Sequence, residues 1–581
     1  MSTEYRILTN TGWRSDGLTP ILNGSDWTPP AAQLAGAVTI GTAQYTIPGA
    51  NVIYLATNGN DGNAGTTIGA PKATLSAAIT AVPVGGTIVV RAGEYRQVVA
   101  SSVTKQLTIQ SYPGEAVWFD GSDVVTEWTQ EGGRWWAPYS VEFEHDDPLG
   151  LVDPAQNPMA AWKDGCWRDG VRLWQVASNP AAGQFSRDYD TDRLWVADNP
   201  NGHEMRAIAR SRLLVLQGAN SIVRGIGVRR YSGAVSSGSG ATILVTAAGT
   251  GVTVENVHMY DCGELGINTS NAFVHATTII RPHQLAYGGN LGSDNEFSNN
   301  LIRDANYKRY KIQPVAGAIK LTKQTNCVIK HNIIDNAYNS YSIWLDVSCY
   351  EPIIVGNLIT NSKGAGIYVE LTEGGIVANN WCYGAGQGYK AQYACSSYNA
   401  GAQKYWNNFV TNYTEYNFEI GGDARRNTVD QVNGHNIAWQ QIPWYAHDIE
   451  IVNNIIGENA NYFQIGGIPT NVTGMGLSRV EGNLSHGNIS GGTAHDRLMR
   501  WYNNPGDVTY QTWSAANTAR PGLGLARNAL TATLNPDSTE AASYAATIGV
   551  PLPSDVAACL GCPAGYTAVG PILRKPLEVG A

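Results

Sequence analysis

Two carboxylic acids recur at a fixed interval in sequence that otherwise predicts β-strand. Asp346 lies in the segment SIWLDV and Glu370 lies in GIYVEL, 24 residues further on. In each segment an aromatic residue, Trp344 or Tyr368, stands two positions before the acid. Two carboxyl groups held a few ångströms apart can act as nucleophile, general acid and general base. If they act together, the fold must bring residues that are 24 positions apart into contact.

A repeat in the central sequence predicts that fold. An asparagine followed by an apolar residue recurs at Asn256, Asn300, Asn332, Asn357, Asn380, Asn408, Asn454 and Asn483. The spacings from Asn332 to Asn408 are 25, 23 and 28 residues, the length of one coil of a parallel β-solenoid, and repetition at this period indicates a stacked architecture. Since coils lie about 4.8 Å apart, a column of inward asparagines can satisfy its buried amides by hydrogen bonding between coils.

The alternation of side chains along a strand assigns the two acids to one column. If Ile343 and Leu345 point into the solenoid, Trp344 and Asp346 point outward, and the same register directs Glu370 outward one coil later. We expect the acids on adjacent strands of one exposed sheet, facing water and roughly 4.8 Å apart. Like charges placed opposite each other destabilise a sheet, so the pair favours a catalytic role. Carboxyls about 5 to 5.5 Å apart are the arrangement of a retaining glycosidase.

Outward side chains around the acids suit the binding of a sugar. Trp344 and Tyr368 form the neighbouring outward column, where ring faces can stack on a sugar while their polar edges form hydrogen bonds. One coil earlier, the segment GAIKLT directs Lys320 and Thr322 outward, and Glu419 is a third outward acid one or two coils later. We expect these five residues to bind substrate.

Composition excludes several classes of partner. A net charge of −9 argues against binding nucleic acid through a broad basic face. No segment approaches the roughly 18 apolar residues of a membrane span, and the start of the chain has no basic region followed by an apolar one, so neither membrane insertion nor a signal peptide is expected. The eight cysteines are scattered, and the single CxxC motif, CLGC at 559–562, has no second pair with which to hold zinc. We expect no metal site.

The pattern along the chain predicts its organisation. The sequence PKATLSAAITAVP predicts an amphipathic helix over 71–82 that covers the open end of the solenoid, where strand edges would otherwise be exposed. Trp-rich sequence with turn signals interrupts the repeat and indicates inserted antiparallel hairpins. Repeat character is lost near residue 511, and we expect the tail to wrap the C-terminal end. The expected segments are 1–50 for attachment, 51–120 for the capped start of the helix, 121–210 for the insertion, 211–510 for the main helix with the site, and 511–581 for an irregular tail.

These motifs resemble those of right-handed parallel β-helix proteins, and among them the bacterial glycoside hydrolases of the β-xylosidase-like type. The catalytic coils of that family read GIW-x-D and, one coil later, GI-x-x-E; here they read SIWLD and GIYVE. The resemblance implies an all-β right-handed parallel β-helix with an N-terminal capping helix and an inserted hairpin subdomain. It also implies that Asp346 is the nucleophile and Glu370 the acid/base, with no cofactor. Ser342 replaces the usual glycine and adds a small side chain near the site.

A second resemblance concerns the location and assembly of the protein. A β-helix without a visible export signal, led by a short irregular segment, is similar to phage tailspikes and minor tail proteins. That resemblance implies a protein of the virion tail, released by lysis, that joins other tail proteins through its N-terminal segment, forms a homotrimer and binds a host cell-surface or extracellular glycan. The alternative locations are the cytoplasm and the exterior of a bacterium.

Two other functions remain open on the sequence. A polysaccharide lyase would use Lys320 as base, calcium as cofactor, and a locally basic run to hold an anionic glycan; no tight cluster of Asp suited to calcium is evident. A non-catalytic receptor-binding or structural tail protein would keep the solenoid without the chemistry. The basic run comprises Arg303, Lys308, Arg309, Lys311, Lys320, Lys323 and Lys330.

Overall fold

The chain winds around one axis, and the strands of its coils form three long, mostly parallel sheets. The computed structural model describes residues 30–580, except 144, 148, 234–239, 264, 385–392, 423–443, 458–460, 467–475, 487–498, 503–507, 511, 520 and 532–546. Within this part, each coil contributes one strand to sheet III, then one to sheet I and one to sheet II, and each strand pairs in parallel with the corresponding strand of the next coil. The protein is a right-handed parallel β-helix, so the predicted fold class is confirmed.

The strands of the three sheets follow one another in chain order. Sheet I contains Val52–Leu55, Thr87–Val90, Thr108–Ser111, Ile222–Arg224, Val252–Glu255, Ala272–His275, Glu296–Ser298, Val328–Lys330, Ile353–Val355, Ile376–Ala378, Lys404–Trp406, Ile449–Val452 and Leu477–Glu481. Sheet II contains Gly93–Tyr95, Val117–Asp120, Gly227–Arg229, His258–Tyr260, Thr278–Ile280, Leu301–Ala305, Ile333–Ala337, Leu358–Ser362, Trp381–Gly384, Phe409–Thr411, Ile455–Ile456, Leu484–His486 and Ala529–Thr531. Sheet III contains Leu214–Leu216, Ile243–Val245, Leu265–Asn268, Leu285–Ser293, Gly317–Thr325, Tyr341–Asp346, Ile367–Glu370, Tyr393–Tyr398, Tyr416–Gly421, Asn461–Gly466, Met499–Tyr502 and, antiparallel at its end, Val508–Tyr510.

Alternate residues of each strand fill the interior of the helix. On sheet III the inward column Ile319, Ile343 and Ile367 is in register and fully buried. Burial of each such side chain contributes roughly 1.5–3 kcal/mol. This register fixes which residues of the same strands face outward, including those of the candidate site.

A hydrogen-bonded column of asparagines runs through the helix as predicted. In each step the side-chain amide donates to the side-chain oxygen of the next member at 2.9–3.0 Å. All members are 8% exposed or less, so the column satisfies amides that would otherwise be buried without partners. Its members are Asn300, Asn332, Asn357, Asn380, Asn408, Asn454, Asn483 and Asn528.

Asn256 is not a member of this column, contrary to the sequence alignment. Its backbone has φ of 51°, in the left-handed region, and its amide donates to the Tyr45 hydroxyl. The same left-handed position is filled by Asn299, Asn379 and other residues that directly precede ladder asparagines. Asparagine tolerates this conformation better than most residues, so the repeat contains two asparagine columns with different physical causes.

A short helix, Leu75–Ala81, lies at the N-terminal end of the solenoid. The Thr74 side chain accepts a hydrogen bond from the Ala77 amide and caps its first turn. Leu75 and Ala78 are buried against the first coils. The helix is shorter than the predicted span of 71–82 because the Thr74 cap sets its start, and Val82 ends it in extended conformation.

The insertion forms a separate sheet beside the first coils. Its strands are joined mainly by antiparallel pairing, which agrees with the predicted hairpins. It also contains one parallel pair, between Val171–Gln175 and Gln184–Asp188. In spatial order the strands are Ser122–Val124, Met205–Ile208, Cys166–Arg168, Val171–Gln175, Gln184–Asp188, Arg193–Val196, Arg134–Pro138 and Thr129–Glu131.

The tail does more than cover the C-terminal end. Helix Trp513–Ala519 and the 3-10 turns Pro521–Leu523 and Leu525–Arg527 lie by the last coils, with Trp513 and Leu525 in the main core. Residues 548–579, which include helix Ser554–Leu560, instead run back along the solenoid.

The returning tail is held by the left-handed asparagines. Asn453, Asn407 and Asn379 hydrogen bond to successive parts of its backbone. Leu577–Glu578 then pairs with Leu34–Ala35, so the two ends of the described chain meet on the side of the solenoid. Within the described residues, no helix is long and apolar enough to cross a membrane.

Candidate active site

The two acids lie on neighbouring strands of sheet III. Thr322 is the register partner of Asp346, and Leu345 is the partner of Val369. One further step in this register places Asp346 beside Glu370 on the outward face. Adjacent strands are about 4.8 Å apart, so the structure brings together the two carboxyls that the sequence places 24 residues apart.

The expectation that both acids face water is wrong. Asp346 is 9% exposed and Glu370 is 4% exposed. A cluster of outward aromatic residues on the same sheet packs beside them, comprising Tyr341, Trp344 and Tyr368 with Tyr398 at its edge. Strand alternation gives the face to which a side chain points, but it does not show what packs over that face.

Lys320 contacts one acid of the pair and the aromatic cluster beside it. Its Nζ lies 2.9 Å from Asp346 Oδ2 and 3.4 Å from the centre of the Trp344 ring, and it also donates to the Pro314 carbonyl. The lysine side chain is 10% exposed. A cation held by a carboxylate, a ring face and a carbonyl has few donors left for substrate, so Lys320 is better placed to organise the acids than to bind sugar.

Trp344 links this cation to the second acid. Its indole Nε1 donates to Glu370 Oε2 at 3.1 Å, while its ring meets Tyr341 edge-on at 4.9 Å. Tyr368 stacks on Tyr341 at 4.5 Å. Trp344 and Tyr368 are only 2% and 5% exposed, so the prediction that they offer a sugar-stacking surface is wrong; their rings pack on each other instead.

The phenols of this cluster stay neutral. Burial raises the pKa of Tyr341, and the nearby carboxylates of Glu370, Glu419 and Asp346 raise it further, while a hydrogen bond from Gln313 lowers it. Burial likewise raises the pKa of Tyr368, with Glu370 as the largest charged contributor. Both tyrosines therefore keep their hydroxyl protons where the carboxyls titrate.

Glu419 belongs to the aromatic column and not to the acid column. The register runs from Tyr368 to Ser396 and then to Glu419, two strands away. Ser396 Oγ donates to Glu419 Oε2 at 2.8 Å, and Glu419 is 6% exposed. Its charge nevertheless reaches Tyr368 and Tyr341, so the structure gathers three carboxylates around one aromatic cluster.

The backbone beside the acids adopts a conformation that costs energy. Val347, directly after Asp346, has φ of 44°, and Leu371, directly after Glu370, has φ of 49°. Positive φ is a genuine outlier for a β-branched residue. Such a conformation costs of order 1–3 kcal/mol. It recurs at Lys323 and Asn399, the equivalent positions of the neighbouring coils, so it is a regular turn of the solenoid.

Several residues of the site escaped the sequence prediction. Tyr341 is one member of the aromatic cluster that was missed. The loop that carries Gln313 and Pro314 was also missed; Gln313 donates to the Tyr341 hydroxyl and Pro314 accepts from Lys320. Tyr398 is the register partner of Glu370. The coil spacing could have indicated Tyr398, which lies 28 residues after Glu370. No sequence signal reveals that the loop folds back over the site.

The basic run does not form one surface for an anionic glycan. Besides Lys320, four of its members are bound by the protein itself, and Lys308 is only 3% exposed. In the described part of the chain, no group of three or more His, Cys, Asp or Glu side chains is arranged to hold a metal ion. The four pairings are Lys308 with the Trp162 carbonyl, Lys311 with the Gly150 carbonyl, Arg303 with Glu578, and Lys330 with Glu296.

Comparison with known proteins supports the class that the fold defines. Residues 209–381, which include both acids, match the family model described as right handed beta helix region. Among solved structures, the complex of XylC with xylose is 16% identical, covers 75% of this chain and 86% of its own, and has a TM-score of 0.54. A structure described as a glycoside hydrolase is 12% identical, covers 75% and 96%, and has a TM-score of 0.45.

A polysaccharide lyase is also among the matched structures. The PL6 family polysaccharide lyase Pedsa3628 from Pseudopedobacter saltans is 12% identical, covers 82% of this chain and 91% of its own, and has a TM-score of 0.44. No curated protein sequence matches the chain. At these identities the likeness establishes the β-helix fold, and function has to be argued from the site.

Proposed function

We propose that this chain is a β-helix glycoside hydrolase that cleaves a glycan with retention of anomeric configuration. The observation that carries the proposal is the placement of Asp346 and Glu370 on adjacent strands of sheet III. A strand spacing of about 4.8 Å is close to the roughly 5–5.5 Å carboxyl separation of retaining enzymes.

In this proposal Asp346 is the nucleophile. Its carboxylate attacks the anomeric carbon and forms a covalent glycosyl ester, while the bond to the leaving oxygen breaks. The Lys320 ammonium, 2.9 Å from Oδ2, holds this carboxylate in place for the attack. Lys320 thus prepares the nucleophile without itself exchanging a proton with substrate.

Glu370 is the acid and then the base. It gives its proton to the leaving oxygen in the first step and takes one from the water that hydrolyses the ester in the second, so its protonation state is restored. The indole of Trp344 orients the group through its hydrogen bond to Oε2.

The test is a turnover assay with matched variants. Since one neighbour was solved with xylose, p-nitrophenyl β-xyloside and xylo-oligosaccharides are the first probes, followed by a panel of surface polysaccharides. Asp346→Asn and Glu370→Gln should each lower kcat at least 1,000-fold, and the first product seen by NMR should keep the substrate's anomeric configuration. Glu296→Gln, an outward acid on sheet I, is the control and should keep full activity. Full activity in both site variants would overturn the proposal.

A polysaccharide lyase is the second candidate because Lys320 lies in the site. A lyase base must reach the proton beside the uronate, whereas the Lys320 Nζ is already held by a carboxylate, a carbonyl and an indole face. Absorbance of an unsaturated uronate product, lost on chelation of calcium, would establish the lyase. Glycan binding without any product would establish a receptor-binding protein.

The proposal also covers the location and the oligomeric state of the protein. We place the protein on a phage tail as a homotrimer that meets a host surface glycan, joined to other tail proteins through its N-terminal segment; the resemblance to tailspikes supports this. Light scattering on purified protein should give three times the 62.2 kDa chain mass. A monomer in solution, or absence of the chain from purified virions, would contradict this part while leaving the hydrolase untouched.

A further inference from the structure

The acid column continues toward the N-terminal coils as an open polar surface. Asn290, Thr322 and Asp346 are successive register partners on three neighbouring strands. Asn290 is exposed, Thr322 is half-buried and Asp346 is 9% exposed. On the other side of Glu370 the column reads Tyr398, half-buried, then Gly421, buried. Exposure therefore rises from the acids toward Asn290, and the site opens in that direction.

The side chains on the open side can hydrogen bond to a ligand. Within the part of the chain that the structure describes, neither the Asn290 amide nor the Thr322 hydroxyl has a hydrogen-bond partner; only their backbone carbonyls accept one. An amide and a hydroxyl supply both donors and acceptors, as sugar hydroxyls require. Leu291, next to Asn290, is 47% exposed and offers an apolar contact for the carbon face of a ring.

Charge is absent from this surface. The coil segments 241–250, 265–272 and 284–293 contain no Asp, Glu, Lys or Arg. On the adjoining strand, Lys320 is already paired with Asp346, and Lys323 alternates away from the outward column to which Thr322 belongs. A uronate or sulfated unit placed here would give up hydration of its charge without gaining an ionic partner, whereas a neutral unit would not incur that loss.

We propose that Asn290 and Thr322 form a binding ledge for the glycan next to the cleaved bond, and that the unit bound there is uncharged. The glycan runs from the acid pair across two strand spacings, about 10 Å, toward the N-terminal coils. The ledge deepens the proposed function and rests on it. This proposal gives Thr322 the sugar-binding role that the sequence predicts. Asn290 is an additional binding residue that the sequence pattern did not indicate.

Binding measured in a catalytically inactive background tests the ledge. Asp346→Asn protein is applied to an array of neutral xylan, glucan, mannan and galactan fragments and of galacturonate and glucuronate oligomers. We expect binding to at least one neutral series, weakened at least tenfold when Asn290→Ala and Thr322→Val are added together. Thr253→Ala, a half-buried outward threonine of sheet I, is the control and should leave affinity unchanged.

A charge introduced on the ledge gives a second readout that does not depend on loss of binding. Asn290→Lys should weaken binding of the neutral probe and create salt-sensitive binding of uronate oligomers, because the new ammonium supplies the ionic partner that the surface lacks. Thr253→Lys should do neither. Preference of the parent protein for uronate probes, binding of no neutral probe, or unchanged affinity in the double variant would each overturn the ledge.

Failure of the ledge can be told apart from failure of the hydrolase. If Asp346→Asn abolishes turnover while the ledge variants keep the wild-type KM on oligosaccharides, the activity stands and the ledge is wrong. If Asp346→Asn keeps wild-type turnover, the proposed function itself falls. Circular dichroism of each variant confirms that the sheets have formed.

Discussion

The ammonium of Lys320 lies 2.9 Å from Asp346 Oδ2 and 3.4 Å from the centre of the Trp344 ring. The same indole donates to Glu370 at 3.1 Å. One lysine is therefore connected, directly or through one side chain, to both acids of the pair. Four residues from three successive coils form this connection, so its geometry follows from the register of sheet III.

Replacement of Lys320 by methionine should lower the rate. We expect kcat/KM to fall at least 100-fold, because the Asp346 carboxylate loses the cation that holds it in place. Lys320→Arg should restore part of the activity. The measurement is kcat/KM of each variant, with Lys323→Met, a half-buried lysine three residues further along the chain, as control.

Equal losses of rate in Lys320→Met and Lys320→Arg would contradict this role. They would mean that Lys320 only supports packing, since removal of one member of a buried ion pair destabilises a protein by about 3–5 kcal/mol in any case. Thermal unfolding of both Lys320 variants separates the two explanations.

The hydrogen bond from Trp344 to Glu370 has a matched counterpart elsewhere in the fold. Trp406 Nε1 donates to Glu450 Oε2 at 2.8 Å on sheet I. Trp344→Phe and Trp406→Phe each remove a similar bond to a carboxylate, worth about 1.5–3 kcal/mol. We expect both variants to lose comparable stability, and only Trp344→Phe to lose kcat, by roughly tenfold or more. Equal kcat in the two variants would show that the indole does not orient a catalytic group.

The fold followed from sequence further than the site did. The stacked register, the asparagine column and the adjacency of the acids all depend on coil length, which the spacing of Asn332, Asn357 and Asn380 reveals. The cover over the acids depends on how side chains from different coils pack. Trp344 and Tyr368 point outward as alternation requires, yet both are buried, because outward on one strand does not mean exposed on a sheet whose neighbours carry large rings.

The paths of the loops are the second feature that the sequence does not predict. The chain between Ala305 and Gly317 leaves the coil, reaches the insertion through the Tyr310 hydroxyl and returns to accept a hydrogen bond from Lys320 at Pro314. No periodicity governs such a path. The left-handed conformation of some residues is predictable from sequence, since paired asparagines at 379–380 and 407–408 mark the turn. His331 and Val347 adopt the same conformation without a sequence signature.

Val347 should be replaceable with a gain in stability. With φ of 44° in a β-branched residue, the native backbone carries strain of order 1–3 kcal/mol, and asparagine tolerates that conformation better. We expect Val347→Asn to raise the free energy of unfolding by about 1 kcal/mol, measured by urea denaturation, and to lower kcat by relaxing the position of Asp346. Val347→Ile, which keeps the branch, serves as control. A less stable Val347→Asn protein would show that the side chain's packing outweighs the strain.

His331 makes the coil it occupies sensitive to acid. Burial lowers its pKa to about 4, and the positive charge of Lys330 adds to the effect. Because the unfolded chain binds the proton near pH 6.5 and the folded chain only near pH 4, stability is complete above pH 6.5 and falls as the pH drops through this window.

His331→Asn should remove that part of the acid sensitivity. Asparagine already fills the equivalent left-handed position at Asn299 and Asn379, so the substitution suits the backbone and has no proton to bind. We expect wild type to lose on the order of 2 kcal/mol between pH 7 and pH 4.5 from this group, and the variant to lose correspondingly less, as measured by urea denaturation at both pH values. Parallel losses in the two proteins would place the acid sensitivity in other groups, since an imidazole that protonates equally in the folded and unfolded chains contributes no pH dependence to unfolding.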